Sequence, residues 1–132
     1  MKDRQPMSGG APAILRREDS LSSRQYRGIC VKVIYECDAV QIVRTDMDSA
    51  TVLDDREIAN FAVLHVVLSG SPVFHTANDT HALMPGDSIA LREARQCSVS
   101  NPTSSRSSIV SFLFRGSSSR ASASARVRCA VH

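Results

Sequence analysis

Short apolar stretches separated by turn residues run through the chain, and in one of them apolar and polar positions alternate with a period of two, the pattern of a strand. Over residues 29–35, Ile29, Val31, Val33 and Tyr35 share one face, while Cys30, Lys32, Ile34 and Glu36 share the other. A half-buried strand is the expectation. Cys37 and Asp38 sit where a turn belongs, and residues 39–44 start a second strand that can pair with the first as a hairpin. An acidic loop carrying Asp46, Asp48, Asp54 and Asp55 follows. Residues 61–68 then form an apolar run broken by His65 and closed by Ser69 and Gly70, which predicts a strand buried on both faces. Residues 73–76 and 80–83 flank Asn78 and Asp79, residue types that tolerate the positive φ of a tight hairpin. Pro85, Gly86 and Asp87 predict a second turn, since proline presets its first central position and glycine suits the next. Residues 88–91 and 109–114 supply two more strands. With short strands, frequent turns and no helical period, the chain reads as all-β, a barrel or sandwich.

The two ends lack this patterning. Residues 1–23, with Pro6, Gly9, Gly10 and Pro12, read as a loose arm whose apolar residues 13–15 can pack on the barrel or on a neighbour. From Gly116 the chain is Ser, Ala and Arg in low-complexity order, so residues 116–132 are expected to form a disordered tail. The barrel itself is assigned to residues 24–115. A length of 132 residues suits one domain. The net charge of +3 is mild and spread along the chain, so nothing calls for a nucleic-acid partner. Four cysteines, Cys30, Cys37, Cys97 and Cys129, lack paired zinc spacing, and no leader of signal-peptide type opens the sequence. Reduced thiols in a cytoplasm are therefore expected. No apolar run approaches the roughly 18 residues of a membrane helix.

The segment Val66-Val67-Leu68-Ser69-Gly70, a hairpin, then Leu83-Met84-Pro85-Gly86-Asp87 resembles the centre of a small single-domain cupin of the RmlC-like kind. The likeness covers about half the chain and implies a cupin-like antiparallel β-barrel, a double-stranded β-helix or jelly roll. In that family the second motif spaces glycine, proline, glycine, histidine and asparagine. Counted from Gly86, those places hold Arg92, Ala94, Cys97 and Asn101, so the spacing survives and most residue types do not. The first motif has two histidines and a glutamate before a glycine. Counted back from Gly70, Val63 stands at the glutamate, and the histidine places fall on Glu57 and Ala59 or on Arg56 and Ile58. The family's three-histidine, one-glutamate metal site is therefore not carried over, and neither a metal nor another cofactor is expected.

The resemblance points the glutamate place into the barrel, so Val63, His65 and Val67 should face inward together, with Cys97 toward the same cavity. His65 and Cys97 are thus the candidate catalytic pair, an acid or base and a nucleophile. Against them stands the bland alternative of a hydrogen-bonded core histidine and an inert buried thiol. Glu57, Val63, Val67, Arg92 and Asn101 are the candidate substrate contacts, with Arg92 and Arg95 near the barrel mouth. His75 and His81, on opposite arms of the hairpin, are too few ligands for a metal. No GxSxG elbow, phosphate loop or HExxH is present.

Three classes of function fit. One is a metal-independent isomerase, cyclase or lyase holding a small organic molecule in the barrel. Another is a ligand sensor, because the pattern also resembles the sensing barrels of arabinose-type transcription regulators. The third is a scaffold with a filled barrel. A Ser/Ala/Arg tail in place of an output domain favours the enzyme. A homodimer is expected, since small cupins commonly pair and residues 61–68 offer apolar surface.

Overall fold

The computed structural model describes residues 11–16, 18–54, 61–92 and 97–115, and all its regular elements are strands. They are β1 (Ser22–Tyr26), β2 (Ile29–Glu36), β3 (Val40–Met47), β4 (Thr51–Asp54), β5 (Ala62–Ser69), β6 (Val73–His75), β7 (Thr80–Ala82), β8 (Ser88–Leu91), β9 (Ser98–Asn101) and β10 (Ser107–Phe114). A six-stranded sheet runs β1-β2-β3-β10-β5-β8, and a four-stranded sheet runs β4-β9-β6-β7. Every pairing is antiparallel. Two such sheets face to face, joined by connections that pass from one to the other, make the jelly roll expected from the sequence. Among the described residues no helix is long and apolar enough to cross a membrane.

The late strand β10 lies at the centre of the larger sheet, between β3 and β5. Its odd positions Ile109, Ser111 and Leu113 are buried and face the smaller sheet, while Val110, Phe112 and Phe114 lie on the outer face. The same alternation holds in β3, where Val43, Thr45 and Met47 are buried, and in β5, where Val63, His65 and Val67 are. Residues 61–68 are therefore buried on one face and only half-buried on the other, with Leu68 exposed. This corrects the two-sided burial expected of an apolar run, because no second layer of described residues covers the outer face of β5.

Several strand limits also shift. β1 takes in Ser22 and Ser23, which the sequence pattern leaves in the arm, because backbone pairing to Val33 and Lys32 holds them regardless of their polar side chains. Asp46 and Asp54 belong to β3 and β4 and not to an acidic loop. In β2 the strict alternation breaks at Ile34, where a bulge between Val33 and Tyr35 shifts the register against β3. The β6–β7 hairpin has a four-residue loop, since His75 pairs with Thr80 and the Thr76 amide donates to the Asp79 carbonyl at 2.9 Å. The tail, residues 116–132, lies outside the described residues.

Two glycines are required where they stand. Gly86 has φ 95° in the turn closed by the Asp87 amide on the Met84 carbonyl, as the Pro-Gly-Asp signature predicts. Gly70 ends β5 at φ 82°, and a Cβ there would lie 2.6 Å from Ser107 Cα. The close approach of these two backbones fixes how β5 hands the chain to the smaller sheet.

Candidate functional site

Facing positions in the larger sheet form rows across it. Val33 pairs with Val43, Val43 with Ser111, Ser111 with His65, and His65 with Ile89. His65 and Ser111 are thus placed side by side by strand register, and His65 Nδ1 lies 2.6 Å from Ser111 Oγ. Thr45, one row away opposite Ile109, completes a buried polar group on this wall. The His65 ring also packs against Phe74 of the smaller sheet, with centroids 5.1 Å apart and planes tilted by 39°. Only 3% of His65 is exposed. Removal from water disfavours the charged imidazolium and pushes its pKa from 6.5 down to about 4. The imidazole is consequently neutral at physiological pH. Either Ser111 donates its hydroxyl hydrogen to Nδ1, or Nδ1–H donates to Oγ, depending on tautomer.

This row borders a cavity of about 550 Å³ between the sheets. Its floor is the inner face of the larger sheet, including Val33, Val43, Ile109, Ser111 and Leu113. Its roof is Leu53 and Val99 of the smaller one, with the exposed Val52 at its edge. Arg24 and Tyr26 of β1 and Asp54 of β4 stand at the rim, where Arg24 and Asp54 are exposed to solvent. Arg24 Cζ lies 5.7 Å from the centre of the Tyr26 ring.

The residues singled out by the sequence separate. His65 lines the cavity. Cys97, 2% exposed, does not; it is part of a core cluster with Met47, Val67, Phe74 and Val99, so the structure does not bring the pair to one pocket. Val63 and Val67 point inward as expected of β5, yet neither lines the cavity. Val63 packs with Val43 and Leu113, and Val67 joins the cluster around Phe74. Arg92 is exposed just beyond β8 and away from the cavity wall. Asn101 is fully buried, and its amide is committed to the backbone. Nδ2 donates to the carbonyls of Met47, Asp48 and Ser105 at 3.0, 3.1 and 2.7 Å, while Oδ1 accepts from the Thr103 amide and hydroxyl. It ties the β3–β4 connection to the β9–β10 connection and does not line the cavity. Glu57 and Arg95 lie outside the described residues. His75 and His81 fall on opposite faces of their hairpin, because His75 pairs with Thr80 and His81 with Phe74, and His75 Nε2 instead meets Ser100 Oγ at 2.9 Å.

Reasoning from the sequence missed Ser111, Thr45, Tyr26, Arg24 and Asp54. Ser111 was within reach: a serine between Ile109 and Leu113, at the inward positions of an apolar strand, is a polar group where a core residue belongs. The rim residues carried no such signal, since β1 and β4 have no apolar alternation.

No family model and no curated protein matches this sequence. Solved structures do. KdgF from a Halomonas species superposes with a TM-score of 0.66 at 14% identity, over 80% of this chain and 96% of that one. A Cupin 2 conserved barrel domain protein from Salinispora arenicola gives 0.67 at 11% identity, over 80% and 92%. The Cupin_2 domain of an XRE family transcriptional regulator from Enterobacter cloacae gives 0.61 at 14% identity, over 67% and 98%. The chain thus has the jelly-roll fold of small cupins. At these identities the likeness speaks for the fold alone.

The metal set that the cupin resemblance implies is not matched by the donors here. Valine stands at the glutamate place, packed among aliphatic side chains, and Cys97 at the histidine place lies inside a hydrophobic cluster. Among the described residues no three of His, Cys, Asp and Glu come together. A first-row divalent ion needs several such ligands converging on one point.

Proposed function

We propose that this small cupin-fold chain is a metal-independent protein that holds a small organic molecule in the cavity between its sheets. The observation that carries this reading is the buried His65–Ser111 hydrogen bond, placed on the wall of a cavity lined by aliphatic side chains together with Arg24, Tyr26, Gln41, Thr45 and Asp54. Small-molecule sites have this composition, apolar walls with a few polar groups that orient the ligand, and a volume of about 550 Å³ is within their usual range. The test is a mass spectrum of what leaves purified, tag-free protein on denaturation, together with a metal analysis. An organic molecule without stoichiometric iron, manganese or zinc is the expected result. Stoichiometric metal would remove the metal-independent half of the proposal. A ligand that binds the folded state alone, at about 100-fold over its Kd, adds roughly 2.7 kcal/mol of stability, so a melting shift gives a second readout.

The Ser111 Oγ to His65 Nδ1 distance of 2.6 Å favours a catalytic version of this reading, an isomerase, cyclase or lyase in which Ser111 Oγ takes a proton from the substrate as it passes its own to the neutral imidazole at Nδ1. Its lowered basicity makes it a weak base and rules it out as a store of a proton at neutral pH. Turnover of the copurified molecule, abolished in His65→Gln with folding retained, is the expected result. Binding without product would instead favour a sensor, a role that the fold shared with the regulator's cupin domain supports.

A homodimer belongs to the same proposal. Ile42, Leu64, Val66, Val110 and Phe112 share the outer face of the larger sheet, with Phe114 exposed beside them, and apolar surface of that kind suits a second copy. A mass of one chain by sedimentation would remove it.

A further inference from the structure

We infer that two copies of this chain pair through the outer face of the larger sheet and exchange their N-terminal arms, each laying Ile14 and Leu15 on the outer face of the other's β10 and β5. This rests on the homodimer reading above and names the segment that completes the interface. Two apolar surfaces of the chain are left uncovered. One is the arm, where residues 11–16 are exposed, Ile14 to 62% and Leu15 to 49%. The other is the outer face of the larger sheet. Strand register lines up Ile42, Phe112, Leu64 and Ala90 in one row across it, with Val110 beside Val66 in the next. Apolar surface gathered in this way marks a contact that one copy does not complete.

Polar groups bound this patch. Arg44 pairs with Asp46 toward one end of the sheet, and Glu36 pairs with Arg115 at the other. An apolar centre inside a charged rim is the arrangement of a protein–protein interface. The face alone is nevertheless too small. Outward positions take up about 32 Å² of sheet each, so the roughly ten apolar ones on β3, β10, β5 and β8 cover about 300 Å². A stable interface takes about 800 Å² from each partner. Exchanged arms add surface on both sides, and a two-fold axis satisfies both at once.

The arm is placed to do this. The Leu21 amide donates to the Val33 carbonyl at 2.7 Å and anchors its root on β2, in the row next to that of Ile42 and Phe112. The Asp19 amide then donates to the Arg16 carbonyl at 3.0 Å, and the Arg16 amide to the Asp19 carboxylate at 2.8 Å, a turn beyond which Ile14 and Leu15 project. A stacked second sheet lies about 10 Å away, and β10 is about 14 Å across from β1, so the target is about 17 Å from the root, within the span of the residues from Leu21 to Ile14. The chain's own outer face is nearer, yet Ile14, Leu15 and Phe114 are all exposed.

The test is photocrosslinking of the full-length protein carrying Ile14→p-benzoylphenylalanine, with isotopically light and heavy chains mixed when dilute and then concentrated. Covalent dimers are expected, with linked peptides that join the arm of one isotope to β10 or β5 of the other. Links confined to single chains would show the arm folded on its own sheet and would overturn the exchange. Uncrosslinked protein that still sediments as two chains would also overturn it, while leaving the homodimer standing. A mass of one chain for the unaltered protein removes the homodimer and this inference with it. Independently, Ile14→Asp combined with Leu15→Asp should raise the dimer dissociation constant about tenfold or more by sedimentation, with the strand signal in circular dichroism retained. An unchanged constant would count against the proposal. Should the benzophenone itself block pairing, this double variant decides.

Discussion

At one end of the barrel Ile29, Met47, Phe74, Cys97 and Val99 fill the space between the sheets, while at the other Val33, Val43, Ser111 and Leu113 face a cavity. Both ends are built from the same inward positions of the same strands. On β3 these run from Met47 to Val43, on β5 from Val67 to Val63, and on β10 from Ile109 to Leu113. What differs is the opposing layer. Toward the filled end β6 and β9 pair Phe74 with Val99, and a buried phenyl ring occupies the gap. Toward the open end β4 supplies only the smaller, half-buried side chain of Leu53 to the roof. His65 sits on the boundary, with its ring against Phe74 and its Nδ1 on Ser111. The two places where the cupin resemblance would put a glutamate and a histidine, Val63 and Cys97, have gone to packing, and the polar chemistry that remains lies at the margin of the packed region.

Breaking the filled end should cost most. Phe74→Ala empties the space at its centre and should destabilise by about 3–5 kcal/mol in denaturant unfolding. A loss under 1 kcal/mol would mean that the two ends are not packed differently.

Acidification probes the boundary. The pKa of His65 is 6.5 when unfolded and about 4 when folded, so the unfolded chain binds the extra proton between those values. Stability from this residue is complete above pH 6.5, declines as pH falls toward 4, and declines no further below that. The full loss is about 3 kcal/mol. His65→Gln, compared with the unaltered protein over that window, should flatten this part of the pH dependence while carboxylates titrate alike in both. Equal slopes would show that His65 is not desolvated.

Asn101→Ala should cost about 2–3 kcal/mol, because three carbonyls and the Thr103 donors lose their buried partner. As a structural residue, it should leave the copurified molecule bound in the folded fraction of the variant.

A matched pair sharpens the contrast at the level of one side chain. Val67→Ala, in the filled end, should destabilise by about 2–3 kcal/mol, whereas Val43→Ala, which borders existing open space, should cost about 1 kcal/mol. Equal losses in thermal or denaturant unfolding would argue that the cavity is closed over Val43. Smallest of all, Arg106→Ala removes an exposed ion pair with Asp48, 3.0 Å long, and should change stability by under about 1 kcal/mol.

The sequence by itself determined the strands whose faces differ in polarity and the turns whose backbone demands a residue type. Period-two alternation marked β2, a continuous apolar run marked β5, short apolar stretches bounded by turns marked the start of β3 and most of β10, and the Pro85-Gly86-Asp87 turn followed from the φ that only glycine adopts readily. The spacing shared with cupins carried the fold, because turn positions persist when side chains change. His65 was legible as an inward polar group on an apolar strand, and Ser111 carried the same signal. Tertiary structure alone decided their pairing, since register between β5 and β10, strands more than forty residues apart, sets the two side by side. It also decided that β1, β4 and β9 are strands, because their backbones pair with neighbours whatever their side chains prefer. The same holds for Cys97 and Asn101. Their spacing fits a ligand-binding motif, but whether such a side chain meets a cavity or a packed core depends on the bulk of the layer opposite, and that layer is assembled from distant segments of the chain.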